Sequence, residues 1–182
     1  MNQFYTQTGD DGFTNLLGEG RVEKYDPRME ALGDLDEASA CLGLARSICQ
    51  APGLPVLLLA LQRDIYQIMA EVAATPENAQ RFRSINAEKI TWLEGHIAEI
   101  TAQVVIPAEF IVPGDTHSSA ALALARTVVR RAERRIAQLH HSGHITNHAL
   151  LRYMNRLSSL CFACEILENH AIKAGPPTLA KI

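Results

Sequence analysis

The sequence contains no long apolar run, and no stretch approaches the roughly 20 residues that a membrane-spanning helix requires. Its N-terminal residues, MNQFYTQTGDDG, are polar and show neither the apolar core of a secretory signal nor the Arg-rich pattern of a transit peptide. The formal net charge is −3, so no overall basic field attracts nucleic acid or anionic membranes. These absences favour a cytoplasmic protein that has neither nucleic acid nor a membrane as its partner.

Cysteine is also scarce. The four cysteines all fall in helical apolar patterns, which indicates reduced, buried thiols: Cys41, Cys49, Cys161 and Cys164. Cys161 and Cys164 have the spacing of a redox or zinc pair, but they lie inside a predicted helix and lack a second pair. A place in the core is therefore favoured over a metal or redox site.

Strand-like alternation is not sustained anywhere, and the dominant pattern is helical periodicity. With 182 residues the chain is long enough for one domain with a sizeable core, so we expect a single domain over 1–182. Residues 1–27 are predicted to form a loop segment and residues 28–173 the helices. The predicted helices cover about 27–49, 55–73, 86–104, 116–141 and 148–173. Five amphipathic helices with short connections predict an all-α, antiparallel five-helix bundle.

The same periodicity predicts which positions are exposed. In the second helix, Asp64 and Glu71 fall outside the apolar stripe, so we expect both carboxylates to face solvent. Gly175-Pro176-Pro177 ends the last helix, and the residues beyond it are expected to be loose.

Glycine and aspartate are concentrated before the first predicted helix. The stretch Thr8-Gly9-Asp10-Asp11-Gly12 can form a plain hairpin with Asp-Gly at its tip. It can equally build a nest of backbone N–H groups around a phosphate, helped by nearby side chains: Thr6, Thr8, Thr14 and Lys24. The spacing is not that of a Walker loop, and the motif alone does not decide between the two interpretations.

The fourth predicted helix carries three arginines at steps of four, which places their guanidiniums in a line on one face: Arg126, Arg130 and Arg134. Glu133 follows Arg130 by three residues. The N-cap is one of three polar residues: Asp115, Thr116 or Ser118. A solvated basic face is the ordinary interpretation of such a row. Because every cation is Arg, whose planar fork grips phosphate or carboxylate, a polyanion or an acidic partner face is the alternative.

Two further residues leave alternatives open. Asp36 lies among small residues on the first predicted helix, where an acid needs a cationic partner unless it is exposed. Phe110 lies in an extended apolar segment between Pro107 and Pro113, which forbid a helix there. Its ring either covers the core or projects from a rigid loop into a ligand cavity.

Seven short blocks follow one another along the chain: YTQTGDDG at 5–12, KYDPR at 24–28, GDLDE at 33–37, WLE at 92–94, FIVPG at 110–114, ARTVVRRAER at 125–134 and NRLS at 155–158. Together they resemble the PduO-type ATP:cob(I)alamin adenosyltransferase family over nearly the whole chain. The last three blocks, in this order and spacing, are specific, whereas the first alone is not.

The resemblance implies a trimer of five-helix bundles with active sites between subunits. ATP would lie against the N-terminal loop of one subunit and the arginine helix of its neighbour, with Mg²⁺ assisting. The residues implied to bind ATP are Thr6, Thr8, Gly9, Asp10, Gly12, Lys24, Arg130, Glu133 and Asn155. The resemblance also implies that Asp36 pairs with Arg126 across the interface. Phe110 would displace the lower axial ligand of the corrinoid.

The implied reaction transfers the 5′-deoxyadenosyl group of ATP to Co(I) of a reduced corrinoid, giving adenosylcobalamin and triphosphate. Packing Phe110 beneath the ring favours four-coordinate Co(II), which is easier to reduce than the five-coordinate form. Co(I) is itself the nucleophile, so the protein needs to align C5′ with cobalt and stabilise the leaving charge. No side-chain nucleophile is required, and a reductase that supplies electrons is a further partner that this chemistry allows.

The chain departs from the family pattern at five positions: Gln7, Ser39, Asp115, Ser159 and Ile166. Gln7 removes a positive charge from the phosphate loop, and Asp115 would repel phosphate if it faced the nucleotide. These changes motivate a second hypothesis, a corrinoid or nucleotide carrier or sensor without turnover. A third hypothesis, a purely structural bundle, predicts no ATP binding.

Overall fold

The computed structural model describes residues 7–181, and this part of the chain is mainly helical. Its six α-helices are α1 (Pro27–Ile48), α2 (Leu54–Ala73), α3 (Pro76–Ala79), α4 (Ala87–Thr101), α5 (His117–His141) and α6 (His148–Ala171), with a 3₁₀ turn at Gln80–Phe82. Two short antiparallel strands precede them, β1 (Phe13–Asn15) and β2 (Arg21–Glu23). The predicted helical fold is confirmed, but the all-α description is incomplete because the expected N-terminal loop contains this small sheet.

The helices begin where local chemistry satisfies their free N–H groups. Asp26 caps α1 by accepting a hydrogen bond from the N–H of Arg28 at 2.7 Å, and Pro27 occupies the first helical position. Thr116, one of the three expected caps, caps α5 and exchanges hydrogen bonds with Ser119 in a capping box. The start of the arginine helix is therefore rigidly defined.

The long helices pack in pairs, with α5 lying against both α1 and α6. α2 packs on α1, and α4 packs on α6. Their shared core is aliphatic and includes Leu35, Leu42, Ile65, Leu122, Val129 and Leu157. Cys161 and Cys164 are buried in this core as predicted, whereas Cys41 and Cys49 are only half-buried. No helix within residues 7–181 is both long and apolar enough to cross a membrane.

Two acids that were expected to face solvent are buried instead. Asp64 and Glu71 are each 2% exposed. Asp64 accepts hydrogen bonds from the Lys89 ammonium at 2.6 Å and the Tyr153 hydroxyl at 2.8 Å. Glu71 accepts one from the Asn147 amide at 3.0 Å, and burial raises the pKa of its carboxyl. These partners come from other parts of the chain, so the stripe of a single helix does not reveal them.

The N-terminal hairpin is attached to the end of α2. The N–H of Leu17, in the turn between the strands, donates to the carbonyl of Ala73 at 2.9 Å. This turn spans 16–20, so the expectation of an Asp-Gly tip is wrong. Asp11 and Gly12 lie in a separate turn before β1.

A buried arginine secures the region where the hairpin is attached. Arg28 is 6% exposed, and its guanidinium donates to the carbonyls of Val72 at 2.8 Å and His144 at 2.6 Å. Burial lowers the pKa of this guanidinium, although the group remains charged at any ordinary pH. The end of α2 is thereby tied to the connection between α5 and α6.

The residues after α6 are not loose, contrary to the expectation from their composition. The N–H of Val112 donates to the carbonyl of Thr178, and the N–H of Ala180 donates to the carbonyl of Phe110, each at 2.8 Å. The tail therefore forms a short antiparallel pairing with the segment that carries Phe110. The two partners are far apart in sequence, and no local pattern connects them.

Candidate functional site

Of the residues expected to hold a triphosphate, Thr8 and Gly9 lie in the turn before β1 and Lys24 directly follows β2. Thr6 lies outside the described residues. Gly12 has a φ of +84°, which glycine adopts without strain, and its carbonyl accepts a hydrogen bond from the N–H of Lys24 at 2.9 Å. The Lys24 ammonium lies beside Gly9, where an added Cβ would be 2.9 Å from Nζ. The structure thus brings Gly9, Gly12 and a lysine cation together at one turn.

Arg21 on β2 fastens this turn, and sequence reasoning missed it. Its guanidinium donates to both carboxylate oxygens of Asp11 at 2.9 Å and to the carbonyl of Thr8 at 2.7 Å. The hydrogen bond from Arg21 holds the pKa of the Asp11 carboxyl below its ordinary value, and the N–H of Phe13 adds to this effect. Asp10 is exposed in the same turn. The ten-residue separation of Arg21 and Asp11 becomes informative only once the hairpin register is known.

Two arginines of α5 face α1 and form ion pairs there. Arg131 Nε lies 2.9 Å from Asp34 Oδ1, and the same guanidinium contacts Glu37. Arg135 lies 3.2 Å from Glu30. Except for Asp34, these side chains are well exposed, so the pairs mainly fix the register of α1 against α5 rather than adding much stability. The sequence contains a signal for these pairs, because the spacing of the acids on α1 matches that of Arg131 and Arg135 on α5. The sequence analysis considered only the row of Arg126, Arg130 and Arg134 and therefore missed it.

The arginines singled out from the sequence lie outside that ion-paired set. Arg130 and Arg134 are exposed, and neither makes a hydrogen bond or ion pair with any residue in the described part of the chain. Glu133 accepts a hydrogen bond from the Asn155 side-chain amide at 2.9 Å, and the Asn155 side-chain oxygen Oδ1 accepts one from Arg156 at 2.8 Å. The structure therefore brings Glu133 and Asn155 together and leaves the Arg130 guanidinium available to an anion.

Arg126 has a different setting, beside a cavity. Its guanidinium carbon lies 5.8 Å from the centroid of the Phe162 ring, and its buried Nε lacks a hydrogen-bond partner among the described residues. Together with Phe110 and neighbouring loop residues, these two side chains line a cavity of about 310 Å³. Phe110 is 86% exposed, so the interpretation that it covers the core is wrong. Asp36 is exposed and forms no ion pair within residues 7–181.

A buried acid that sequence reasoning overlooked lies near Arg126. Glu165 on α6 is 2% exposed, and burial raises the pKa of its carboxyl to about 7, while Arg126 pulls it down and Asp115 pushes it up. Asp115 is directed toward the tail, because its carboxylate accepts hydrogen bonds from the Thr178 hydroxyl at 2.7 Å and the Thr178 N–H at 3.2 Å. Its substitution for glycine therefore gives the chain a contact with its own tail.

The other departures from the family pattern lie in varied surroundings. Gln7 and Ser159 are exposed, and Gln7 has a φ of +61°. Ile166 lines a second cavity of about 820 Å³ with Val104 and Leu179, between the ends of α4 and α6 and the tail. This cavity size is typical of small-molecule sites, and its lining is mainly apolar.

Residues 4–168 match the family model for cobalamin adenosyltransferase. The chain belongs to the cobalamin adenosyltransferase family. The resemblance predicted from the seven sequence blocks is thereby confirmed.

Relatives of this cobalamin adenosyltransferase family member match most of this chain. The corrinoid adenosyltransferase PduO of Citrobacter freundii is 39% identical over 167 residues, which cover 91% of this chain and 50% of the relative. The corrinoid adenosyltransferase of Bacillus subtilis is 36% identical over 171 residues, covering 92% of this chain and 86% of the relative. The chain therefore spans about half the length of the PduO relatives that it matches.

A solved structure of the family has the same fold. A variant PduO-type ATP:corrinoid adenosyltransferase from Lactobacillus reuteri, complexed with cobalamin and ATP, superposes with a TM-score of 0.90 at 32% sequence identity. The similarity covers 99% of this chain and 100% of that one. The mainly helical adenosyltransferase fold is thus common to both proteins.

Within one chain of this adenosyltransferase family member, the two halves of the expected ATP site are separate. Among residues 7–181, no hydrogen bond or ion pair joins Gly9, Gly12 or Lys24 to Arg130 or Asn155. The hairpin is attached to the end of α2, whereas Arg130 lies on α5, on the other side of α1. Contacts within residues 7–181 therefore do not join these two groups of residues.

We expect Glu165→Gln to make the free energy of unfolding depend less on pH. The Glu165 carboxyl has a pKa of about 7 in the folded protein and an ordinary value of 4.5. Between pH 4.5 and pH 7, wild-type protein therefore takes up a proton at Glu165 when it folds. Its free energy of unfolding therefore falls as pH rises through this window, by about 3 kcal/mol in all. Glu165→Gln has no carboxyl to ionise there, so its free energy of unfolding should not fall in this way. Relative to wild type, the variant should gain stability steadily as pH rises to 7. Denaturant unfolding at half-unit pH steps measures the difference.

Glu88→Gln, at an exposed site on α4, is the matched control because it also removes one carboxylate. If the free energy of unfolding changed with pH in the same way for wild type and Glu165→Gln from pH 4.5 to pH 7.5, the raised pKa of Glu165 would be contradicted.

Proposed function

We propose that this chain is an ATP:corrinoid adenosyltransferase, which transfers the 5′-deoxyadenosyl group of ATP to Co(I) of a reduced corrinoid and releases triphosphate. The observation that carries the proposal is the cavity at which an exposed Phe110 meets Arg126 and Phe162. An aromatic ring held out of the core at the rim of a cavity suits contact with a flat macrocycle. The names of the relatives and the cobalamin and ATP in the Lactobacillus reuteri complex support this assignment.

The N-terminal turn is proposed to bind the triphosphate. Its backbone is held by Arg21 and by the hydrogen bond between Lys24 and Gly12, so N–H groups can face an anion without reorganising. The Lys24 ammonium beside Gly9 adds a compact positive charge. Thr6, Thr8 and Asp10 complete the proposed set.

Arg130 is proposed to bind the same triphosphate from the opposite side. Its guanidinium has no partner within the described chain, and a planar fork suits phosphate oxygens. Asn155, oriented by Glu133, is proposed to contact the nucleotide next to it. As the leaving triphosphate gains charge, fixed cations on both sides stabilise it more than they stabilise ATP itself.

We propose that the two halves of the site meet between subunits of a homotrimer of antiparallel bundles, each built from the five long helices. Three observations support this arrangement. Gly9 and Lys24 make no hydrogen bond to Arg130 within the described chain. Asp36 is an exposed acid without a cationic partner there, and the Arg126 guanidinium has an Nε without an acceptor. Pairing Asp36 with Arg126 of a neighbouring copy satisfies both groups.

Phe110 is proposed to act before the transfer step. Its ring excludes water or a base from the lower face of the corrinoid, so four-coordinate Co(II) accepts an electron from a reductase to become Co(I). The electron pair of Co(I) then attacks C5′ of ATP in line. The cobalt–carbon bond forms as the C5′–O bond breaks, the electrons of that bond leave with triphosphate, and cobalt becomes formally Co(III).

Mg²⁺ is proposed to enter with ATP. Residues 7–181 contain no group of three or more His, Cys, Asp or Glu side chains that could hold an ion by themselves. Mg²⁺ commonly keeps several waters and binds substrate phosphates, which fits a turn that offers N–H groups, a lysine and the exposed Asp10. Bound there, the ion would neutralise part of the triphosphate charge. The cytoplasmic location and the reductase partner remain predictions from the sequence.

The decisive experiment supplies ATP, Mg²⁺ and Co(I) corrinoid under anaerobic conditions. We expect a product with a cobalt–carbon bond, identified by its light-sensitive absorption spectrum, and one triphosphate for each product formed. Reactions without ATP are the control. Calorimetric binding of ATP by a chain that forms no product, where a related enzyme succeeds, would favour the carrier or sensor hypothesis instead. Failure to bind ATP at all would favour a structural bundle.

A further inference from the structure

The segment that carries Phe110 has little support of its own. It lies between α4 and α5 without regular helical structure, and the Phe110 side chain is 86% exposed. A side chain that has to meet a flat ligand from one direction requires a fixed backbone, because an error of about 1 Å in position is enough to lose the effect.

The support comes from the tail after α6. Hydrogen bonds of 2.8 Å join Val112 to Thr178 and Ala180 to Phe110, and Ile111 lies opposite Leu179 in an antiparallel bridge. A two-stranded contact of this length is marginal in water by itself. A further anchor is therefore needed to keep the tail in this register.

Asp115 provides that anchor. Its Oδ1 accepts a hydrogen bond from the Thr178 hydroxyl at 2.7 Å, and its Oδ2 accepts one from the Thr178 N–H at 3.2 Å. Asp115 directly precedes Thr116, the N-cap of α5, so its backbone is fixed by a helix of 25 residues. Hydrogen bonds to a carboxylate are stronger than those between neutral groups. The carboxylate thus joins the tail to the most firmly held part of the loop.

We propose that Asp115 and Thr178 are positioning residues, which hold the tail against α5 so that the tail fixes the backbone of Phe110 at the cavity. Neither residue touches the substrate in this role, and both act through Phe110. The proposal rests on the proposed function, because fixing Phe110 matters for the reaction only if a corrinoid binds above it.

The first test uses protein without ligands and does not depend on activity. Thr178→Val keeps the side-chain volume but removes the hydroxyl, and Asp115→Ala removes both acceptors. We expect amide hydrogen exchange at Val112 and Ala180, whose N–H groups form the pairing with the tail, to become about 5- to 10-fold faster in each variant, as expected for the loss of roughly one hydrogen bond. Thr91→Val, whose hydroxyl bonds the carbonyl of Ala87 in its own helix, is the matched control and should leave this exchange unchanged.

The second test compares adenosylation from Co(II) and from supplied Co(I). In Thr178→Val and Asp115→Ala, we expect the rate from Co(II) to fall about 5- to 10-fold, while the rate from Co(I) stays within about 2-fold of wild type. Asp115→Asn keeps an acceptor oxygen for the Thr178 hydroxyl and should retain most of the Co(II) rate. If Thr178→Val and Asp115→Ala both kept the wild-type rate from Co(II), the pair would not position Phe110, and the proposal would be overturned.

The two tests separate this inference from the proposed function. Unchanged exchange at Val112 and Ala180 in both Thr178→Val and Asp115→Ala overturns the positioning role, even if wild-type protein is fully active. A wild-type chain inert toward both cobalt states refutes the proposed function, and with it a role for this pair in the reaction. Faster exchange together with a selective Co(II) defect supports both.

Discussion

Arg130→Ala is expected to abolish adenosyl transfer, lowering kcat/KM by at least about 100-fold. The Arg130 guanidinium is exposed and has no partner within the described chain, so its removal should leave the bundle intact. The loss would fall on the transition state, in which negative charge accumulates on the departing triphosphate. Steady-state rates with Co(I) supplied directly measure the effect without any contribution from cobalt reduction.

The chain offers a close control for this substitution. Arg134→Ala changes an equally exposed, equally unpaired arginine one turn further along α5 and should stay within about 3-fold of wild type. Arg130→Lys keeps the charge but not the planar fork, and it should fall between wild type and the alanine variant. Similar rates for the Arg130 and Arg134 alanine variants would show that α5 merely presents a solvated basic face.

Phe110→Ala should separate the two halves of the reaction. Without the ring, water or a base can remain on the lower face of cobalt, so we expect a loss on the order of 100-fold when the reaction starts from Co(II). Starting from Co(I), where no axial ligand has to be displaced, much of the activity should remain. The measurement is the ratio of these two rates, together with the absorption signature of four-coordinate Co(II), which should disappear.

Tyr66→Ala is a suitable control, because it removes an exposed aromatic ring from α2, where Tyr66 is 72% exposed. It should leave the ratio of the two rates unchanged. Equal losses from Co(II) and Co(I) in Phe110→Ala would contradict a role in ligand displacement and would point to general binding of the corrinoid instead.

Much of the helical framework could be predicted, because local rules determine it. The apolar periodicity located all five long helices, and a polar residue after Pro113-Gly114 marked the start of α5, where Thr116 is the cap. The connection between the second and third predicted helices was not resolved by this pattern, because it contains α3 and a 3₁₀ turn. Such short elements form through local turn preferences that leave no long apolar stripe.

Residues held by distant parts of the chain could not be placed in the same way. Asp64 falls on the polar side of its helix, yet Lys89 and Tyr153 make its burial favourable. Glu165 is likewise an acid within a largely apolar helix, and only the packing of α5 on α6 brings it near Arg126. The trimer stays a prediction, because it concerns contacts between chains, and the single-domain organisation over 1–182 stays a prediction as well.

Arg28 couples the end of α2 to the connection between α5 and α6. One desolvated guanidinium grips three carbonyl oxygens, those of Val72, Ala74 and His144, in two connections that are distant in sequence. Neither connection can shift by more than a fraction of a hydrogen-bond length without stranding a buried charge. A displacement at the α5–α6 connection would therefore be transmitted to the C-terminal end of α2, and from there to the N-terminal hairpin that is hydrogen-bonded to it.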